Sequence, residues 1–295
     1  MKKNRKKKIL IIGFGSISKK LFNFLKGNTK YEIGVLRVFS KEKISGCKCF
    51  FKINDAIKFK AEYIFICCSA NLHNFYFKIF KNKENKIFIE KPLTINKKEF
   101  LDYKKYKYNV LVGYFLRFHP AIIFIKKYIQ KNIKKVRIIN LEVGYDVRKW
   151  RPQSKIENTV SVNKILGGGA IFELSHEIDL AVWFLGKPDE IYCERQKITN
   201  LESNVEDVSK IIFNNNKNKT LCSISLDFIQ TKYSRSIKII LDDKTIFFDY
   251  KKNQIFIYSS KKTKIINFAD NMYDAYYKQI NFFLKKFDKK EKNNL

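Results

Sequence analysis

Gly13-Phe14-Gly15-Ser16-Ile17-Ser18 stands directly after one apolar run and directly before a helix-compatible one. In that setting the backbone itself does chemistry. Gly13 permits a tight turn, Gly15 lets the chain come close to a pyrophosphate, and the N-terminus of the helix that follows offers free amides to the phosphates. Ser18 holds the place of a third glycine and is small enough for close helix packing. An isolated GxG also marks ordinary turns, so the strand–turn–helix context carries the inference. Glu90-Lys91-Pro92 follows a second apolar run, Ile87 to Ile89. Pro92 restricts Lys91 to extended backbone and fixes its aim. A lysine placed there can exchange a proton with a substrate. In a chain with 60 Lys and Arg residues one lysine means nothing by its type, so its place beyond a strand end is the signal. Glu173, His176, Asp179 and Trp183 recur three or four apart, which makes one polar stripe on an otherwise apolar helix with His176 in its middle. Such groups need partners, and either an active-site cleft or a bracing His–Asp pair would supply them.

The arginines sharpen the cofactor question. The acid that would hold an adenosine ribose 2′-hydroxyl about twenty residues past the fingerprint is missing. Arg37 lies near the end of the next strand with Ser40 and Lys41 after it, a set that suits a 2′-phosphate, so NADP is favoured over NAD. Arg37 as an ordinary surface cation is the alternative. Arg148, Trp150 and Arg151 form a short run whose planar guanidinium forks match phosphate or carboxylate. A substrate loop and simple packing both account for it.

These residues need a scaffold, and the apolar pattern describes one. Residues 8–12, 31–39, 63–68, 86–89 and 109–113 read as strands, alternating with helical segments at 18–25, 54–59, 72–80 and 95–106. Continuous apolar strands alternating with helices predict a parallel, doubly wound sheet covered on both faces. Beyond Pro120 the pattern changes. A helix at 121–129, a strand at 136–145 and one long helix over 169–185 precede strand-like runs at 190–197, 208–213, 220–228, 236–241, 245–250 and 254–258. A final helix spans 272–287. The expected fold is α/β: an N-terminal dinucleotide-binding domain over 1–119 and a C-terminal α+β domain over 120–295 with an open, mainly antiparallel sheet.

Composition removes several classes. The formal net charge of +32 invites a nucleic-acid reading. However, the excess is almost all lysine spread from Lys2 to Lys292, with no basic helix, zinc finger or aromatic-basic module. It predicts a solvated surface that attracts anionic small molecules, without a specific nucleic acid. The six cysteines show neither a disulfide framework nor CxxC spacing, so no metal is expected and a reducing cytoplasm is. The basic start followed by Ile9 to Ile12 runs straight into Gly13, too short an apolar run for export. No stretch reaches membrane-spanning length.

The fingerprint, Glu90-Lys91-Pro92, Gly113-Tyr114 with Arg117-Phe118, and Gly167-Gly168-Gly169 leading to His176 and Asp179 occur in that order. Together, from about Lys8 to Gly186, they resemble the Gfo/Idh/MocA family of oxidoreductases. The resemblance implies a Rossmann domain plus an open-sheet α/β domain, NAD or NADP as cofactor, a sugar, cyclitol or sugar-nucleotide substrate, and a homo-oligomer (dimer or tetramer). It implies Lys91, His176 and Asp179 as catalytic residues and Tyr114 and Arg117, with Trp150 and Arg151, at the substrate. Ser69, Asn71, His73 and Glu90 would join Gly13, Phe14, Gly15, Ser16, Ile17 and Arg37 around the cofactor. His119 could instead be a hinge. The segment from Val143 to Asp179 also resembles members associated with surface-polysaccharide sugars. One departure stands out: Phe172 occupies the place of the family's aspartate four before the histidine, and the nearest acid is Glu173. A catalytically inactive NAD(P)- or sugar-sensing protein of the same fold is the alternative that this departure favours.

Overall fold

The computed structural model describes residues 5–150, 155–156 and 159–288. Arg151, expected at the substrate, lies outside the described residues. The chain divides into two units, Met1–Gly113 with Tyr277–Leu295, and Tyr114–Tyr276.

In the first unit six parallel strands run β1 (Lys7–Ile12), β2 (Tyr31–Leu36), β3 (Lys48–Phe50), β4 (Tyr63–Ile66), β5 (Lys86–Ile89) and β6 (Val110–Val112), in the order β3-β2-β1-β4-β5-β6. The central strands are apolar at successive positions because both faces are covered. Ile9, Leu10 and Ile11 are each 0% exposed, so neither face of β1 meets water. Helices α1 (Ser16–Leu25), α2 (Ile53–Lys58), α3 (His73–Phe80) and α4 (Phe100–Lys104) belong to this unit. Leu21, Phe22 and Leu25 form the buried stripe of α1 at helical spacing. The chain runs outward from β1 through β2 to β3 and then crosses back to β4 on the other side of β1, so the strand order reverses at β1, the place where open α/β sheets bind ligands. Edge strand β3 was not expected: three residues of mixed polarity give no periodic signal.

The second unit holds an eight-stranded sheet. Its strands are β7 (Val136–Gly144), β8 (Glu190–Gln196), β9 (Val208–Asn215), β10 (Thr220–Asp227), β11 (Ser234–Leu241), β12 (Lys244–Asp249), β13 (Gln254–Ser259) and β14 (Thr263–Asn267). They are ordered β14-β13-β12-β11-β7-β10-β9-β8. All neighbours are antiparallel except β7 and β10, which pair in parallel from Ile138↔Leu221 to Gly144↔Asp227. Alternating burial along β7 and β10 shows one face turned to a core. That core takes Ile122, Ile125 and Ile129 of α5 (Pro120–Asn132) and Leu180, Ala181 and Phe184 of a later helix. His119, a hinge in the sequence reading, caps α5: its Nδ1 accepts from the Ala121 amide at 3.2 Å while the ring is 1% exposed.

Two features depart from the sequence pattern. The single helix expected over 169–185 is two, α6 (Ala170–Glu173) and α7 (His176–Leu185). Leu174, at φ −101° and ψ 24°, leaves helical geometry between them. His176 is therefore the first residue of a helix and not mid-helix, and Glu173 does not continue its stripe. A break this short leaves the spacing of apolar residues almost untouched, so periodicity cannot see it. The last helix, α8 (Met272–Asp288), is divided, with Tyr276 counted in the second unit and Tyr277 onward in the first. The expected second domain took the whole of it. Phe283 of α8 packs edge-on against Phe65 and Phe88 of the first sheet, with ring centroids 5.2 Å and 5.7 Å away. Aromatic contacts of this size outweigh chain order.

Candidate active site

The turn after β1 is built as the fingerprint requires. Gly13 has φ +87°, and a Cβ on it would sit 3.1 Å from the backbone of Cys67 and Cys68 at the end of β4. Both conformation and space demand glycine. Gly15 caps α1, and a Cβ there would meet nothing within 4 Å, so the backbone is open to approach by a ligand. No acidic residue lies in the first turn of α1, so its positive end is left for an anion. Ser18, fully buried, donates its hydroxyl to the Gly15 carbonyl at 3.1 Å and fixes the turn from behind. Phe14 packs edge-on against Phe22, and the Arg37 guanidinium lies 5.7 Å above the Phe14 ring.

Arg37 follows β2 as expected but is already engaged. Its Nη1 and Nη2 both donate to the Glu42 carboxylate at 3.1 Å, and Nη1 also donates to the Glu42 carbonyl at 2.8 Å. An acidic side chain therefore does stand beside Arg37 at this end of the sheet, on the loop that follows the strand. Sequence spacing missed Glu42 because it lies beyond the strand.

The connections after β4 and β5 bring the next set together. Ser69 and Asn71 sit at the turn leading into α3, and the Asn71 side-chain oxygen is buried with no hydrogen-bond donor among the described residues. Such an acceptor suits a ligand amide. His73, expected to line the nicotinamide, is 1% exposed. Its Nδ1 lies 3.0 Å from the Pro92 carbonyl and its Nε2 3.1 Å from the Cys68 carbonyl. Burial holds its imidazole below the ordinary value against the pull of these carbonyls. Placed so, His73 ties the end of β4 to the segment directly after Lys91. Lys91 is half-buried at the carboxyl end of β5, and its amide donates to the Glu90 carboxylate at 3.3 Å. A Cβ on Gly113 would come within 2.8 Å of that carboxylate, so the glycine after β6 is what leaves room for Glu90. An open helix end, a buried acceptor and Lys91 therefore stand at the ends of three neighbouring strands.

In the second unit, the turn before α5 and the start of α7 meet. The Phe115 and Tyr114 rings stand edge-on to the His176 ring at 4.6 Å and 5.7 Å. Arg117 grips Asp179 with both arms, Nε to Oδ2 at 2.8 Å and Nη2 to Oδ1 at 2.6 Å, across 62 residues of chain. The same guanidinium lies 5.3 Å from the Trp183 ring. Burial pushes the Asp179 carboxyl above its ordinary value, against the pull of Arg117. Burial and the nearby Asp179 likewise push up the Tyr114 phenol. Five of the residues singled out from sequence, Tyr114, Arg117, His176, Asp179 and Trp183, thus form one cluster. Trp150 does not join it: its ring packs on Phe228 at 5.3 Å and borders the core. Arg148 is held by Asp146 through two hydrogen bonds of 2.8 Å.

Replacing Arg117 with leucine should leave a buried carboxyl with no cation and drive its pKa further up. A carboxyl whose folded value exceeds the unfolded one supports the fold below the unfolded pKa and loses that support as pH rises through the folded value. Arg117→Leu should therefore cost about 2 kcal/mol near neutrality, discounted because the arginine is 38% exposed, and clearly less near pH ~4. Urea midpoints at the two pH values check this; an equal loss at both would show that Asp179 does not carry the effect.

Sequence reasoning also missed a fully buried pair. Glu177, next to His176, meets Arg235 of β11, Nε to Oε1 at 2.8 Å, with the side chains 2% and 7% exposed. Nothing local marks this partnership.

Residues 131–247 match the family model of the GFO/IDH/MocA C-terminal domain. No curated protein matches the sequence of this chain. Among solved structures, the WlbA dehydrogenase from Bordetella pertussis, in complex with NADH and UDP-GlcNAcA, is similar at 16% identity and TM-score 0.76, over 98% of this chain and 91% of that one. An inositol dehydrogenase homolog complexed with NAD+ from Azotobacter vinelandii gives 11% identity and TM-score 0.80, over 96% and 86%. UDP-N-acetylglucosamine 3-dehydrogenase GnnA from Acidithiobacillus ferrooxidans gives 17% and 0.74, over 96% and 89%. At these identities the likeness is one of fold, and it agrees with the domain match and the ordered motifs: residues 131–247 are a Gfo/Idh/MocA C-terminal domain, set in a chain with the fold of that family's oxidoreductases.

Proposed function

We propose that this chain is an NAD(P)-dependent dehydrogenase or reductase acting on a CH–OH group of a sugar, cyclitol or sugar nucleotide. The observation that carries this reading is the convergence, beyond the ends of β1, β4 and β5, of the glycine turn with its open helix end, the buried Asn71 acceptor and Lys91. The nicotinamide, when bound, accepts or supplies the hydride. Gly13, Gly15 and the amides of Ser16 and Ile17 hold the pyrophosphate, and Ser69 and Asn71 border the nicotinamide side. Lys91 takes the proton of the substrate hydroxyl or returns it to the ketone. His176 serves as a second acid–base group or hydroxyl anchor, and Asp179, locked by Arg117, orients the hydroxyls near it. WlbA and GnnA support a sugar nucleotide as the substrate class. A role in surface-polysaccharide sugars, a cytoplasmic location and a homo-oligomeric state belong to the same proposal. Among the described residues no helix is long and apolar enough to cross a membrane.

Fluorescence titration with NADH and NADPH tests the base of this reading, and binding of neither by folded protein would end it. The same titration reads the Arg37–Glu42 pair. A 2′-phosphate must take Arg37 from Glu42, whereas a ribose 2′-hydroxyl can donate to the Glu42 carboxylate where it stands. Glu42→Gln should strengthen NADPH relative to NADH by about tenfold, the size of one charge-assisted hydrogen bond. An unchanged ratio would remove the pair from cofactor choice.

A further inference from the structure

The segment between β2 and β3 carries a feature that cofactor binding does not use. Cys47 and Cys49 bring their Sγ atoms to 4.0 Å from each other. Both converge on one backbone unit. Cys47 donates to the Ile44 carbonyl at 3.6 Å, while Cys49 Sγ lies 3.7 Å from the same oxygen and accepts from the Ile44 amide at 3.1 Å. Each thiol is half-buried, and burial, reinforced by Cys49, pushes the Cys47 thiol up to about 12. Lys41, Lys43 and Lys48 flank the pair in sequence.

We propose that Cys47 and Cys49 chelate one soft monovalent cation of the copper(I) class. At this distance the two thiols share an S–H···S hydrogen bond with either sulfur as donor, and the proton of that contact is what a bridging cation would replace. Two thiolates on one three-coordinate ion, with bonds of about 2.3 Å opened to roughly 120°, stand ~4.0 Å apart. A disulfide needs about 2.05 Å. The observed 4.0 Å is already the separation of a chelate and far from that of a bond. The identity of the ion follows from the number of ligands. Among the described residues no group of three or more His, Cys, Asp or Glu could hold a metal, so this pair offers two thiolates and no more. Structural zinc takes four protein ligands. Soft thiolates select copper(I), which is content with two or three ligands in all. Binding converts two thiols and one M+ into a bis-thiolate complex of net charge −1 and releases two protons. The Ile44 amide stabilises the Cys49 sulfur in that state, as hydrogen bonds to anions do. Because protons compete for the sulfurs, affinity rises with pH.

The test is an anaerobic titration of the reduced full-length chain with Cu+ against bathocuproine disulfonate, with circular dichroism to verify each variant's fold. The native chain should hold one equivalent and release about two protons on binding. Cys47→Ser and Cys49→Ser should each lose about a hundredfold in affinity, since the second thiolate binds intramolecularly. Cys193→Ser, which removes an exposed thiol of the other unit, should hold the ion unchanged. The proposal is overturned if the Cys47→Ser/Cys49→Ser protein binds as the native chain does, if Cys193→Ser alone abolishes the site, or if the native chain yields all copper to the competitor. A parallel NADH titration keeps this result separate from the oxidoreductase reading, because either can stand when the other fails.

Discussion

Lys91→Ala should lower kcat by a hundredfold to ten-thousandfold, the usual range for losing a positioned acid or base, ~10²–10⁴. Binding of NADH should stay within about twofold, because the proposed function puts the pyrophosphate on the backbone of the Gly13–Gly15 turn and not on this side chain. Lys91 is suited to the role by its mounting. It follows β5 directly, its amide is tied to Glu90, and the Pro92 carbonyl beyond it is within hydrogen-bond distance of buried His73. Lys91→Arg keeps the charge but not the compact donor, so it should recover little. The experiment needs a turned-over substrate, found by screening UDP-sugars, free sugars and cyclitols with the preferred cofactor. A Lys91→Ala protein that turns its substrate over at the native rate would end the proposed mechanism. Full cofactor binding with no turnover of any such substrate by the native chain would favour the sensing protein instead.

The second large effect is on stability. Glu177→Ala should destabilise the chain by about 3–5 kcal/mol, because it strands the Arg235 guanidinium in a site where 7% of the side chain meets water. Burial works against that cation, yet the Glu177 carboxylate, with Tyr233 and Tyr250 beside it, outweighs burial and holds Arg235 above its ordinary value. Arginine cannot escape by losing its proton, so the structure bears the cost. Replacing both partners, as Glu177→Met with Arg235→Met, should recover most of the loss, since a matched apolar pair has no charge to desolvate. Chemical denaturation of the two proteins checks the pair. If Glu177→Ala and the double variant unfold at the same midpoint, the ion pair is not what holds the start of α7 to β11.

The split helix bears on the altered acid before His176. With α6 ending at Glu173 and α7 opening at His176, spacing along one continuous helix no longer describes their relation. The stripe read from spacing therefore shrinks to His176, Asp179 and Trp183 on one helix, with Glu173 left on the other. Asp179 and Trp183 remain on α7 with His176, and both meet Arg117.

By itself the sequence determined what short-range physics controls. Unbroken apolar runs of three to six residues alternating with helical segments pointed to strands covered on both faces, and the glycines at 13 and 15 to a tight turn between a strand and a helix. The placement of Lys91 beyond a strand end followed from the same pattern, because a strand's end is visible where its apolar run stops. The tertiary structure alone decided who pairs with whom. Arg117 with Asp179, 62 residues apart, and Arg235 with Glu177, 58 apart, depend on how the second unit folds back on itself, and no local preference encodes such closures. Arg37 with Glu42 is close in sequence, yet it turns on a loop whose path period and propensity leave open. The same holds for β3, for the break at Leu174 and for Phe283 packing on Phe65: each is fixed by packing energy that outweighs a weak local signal.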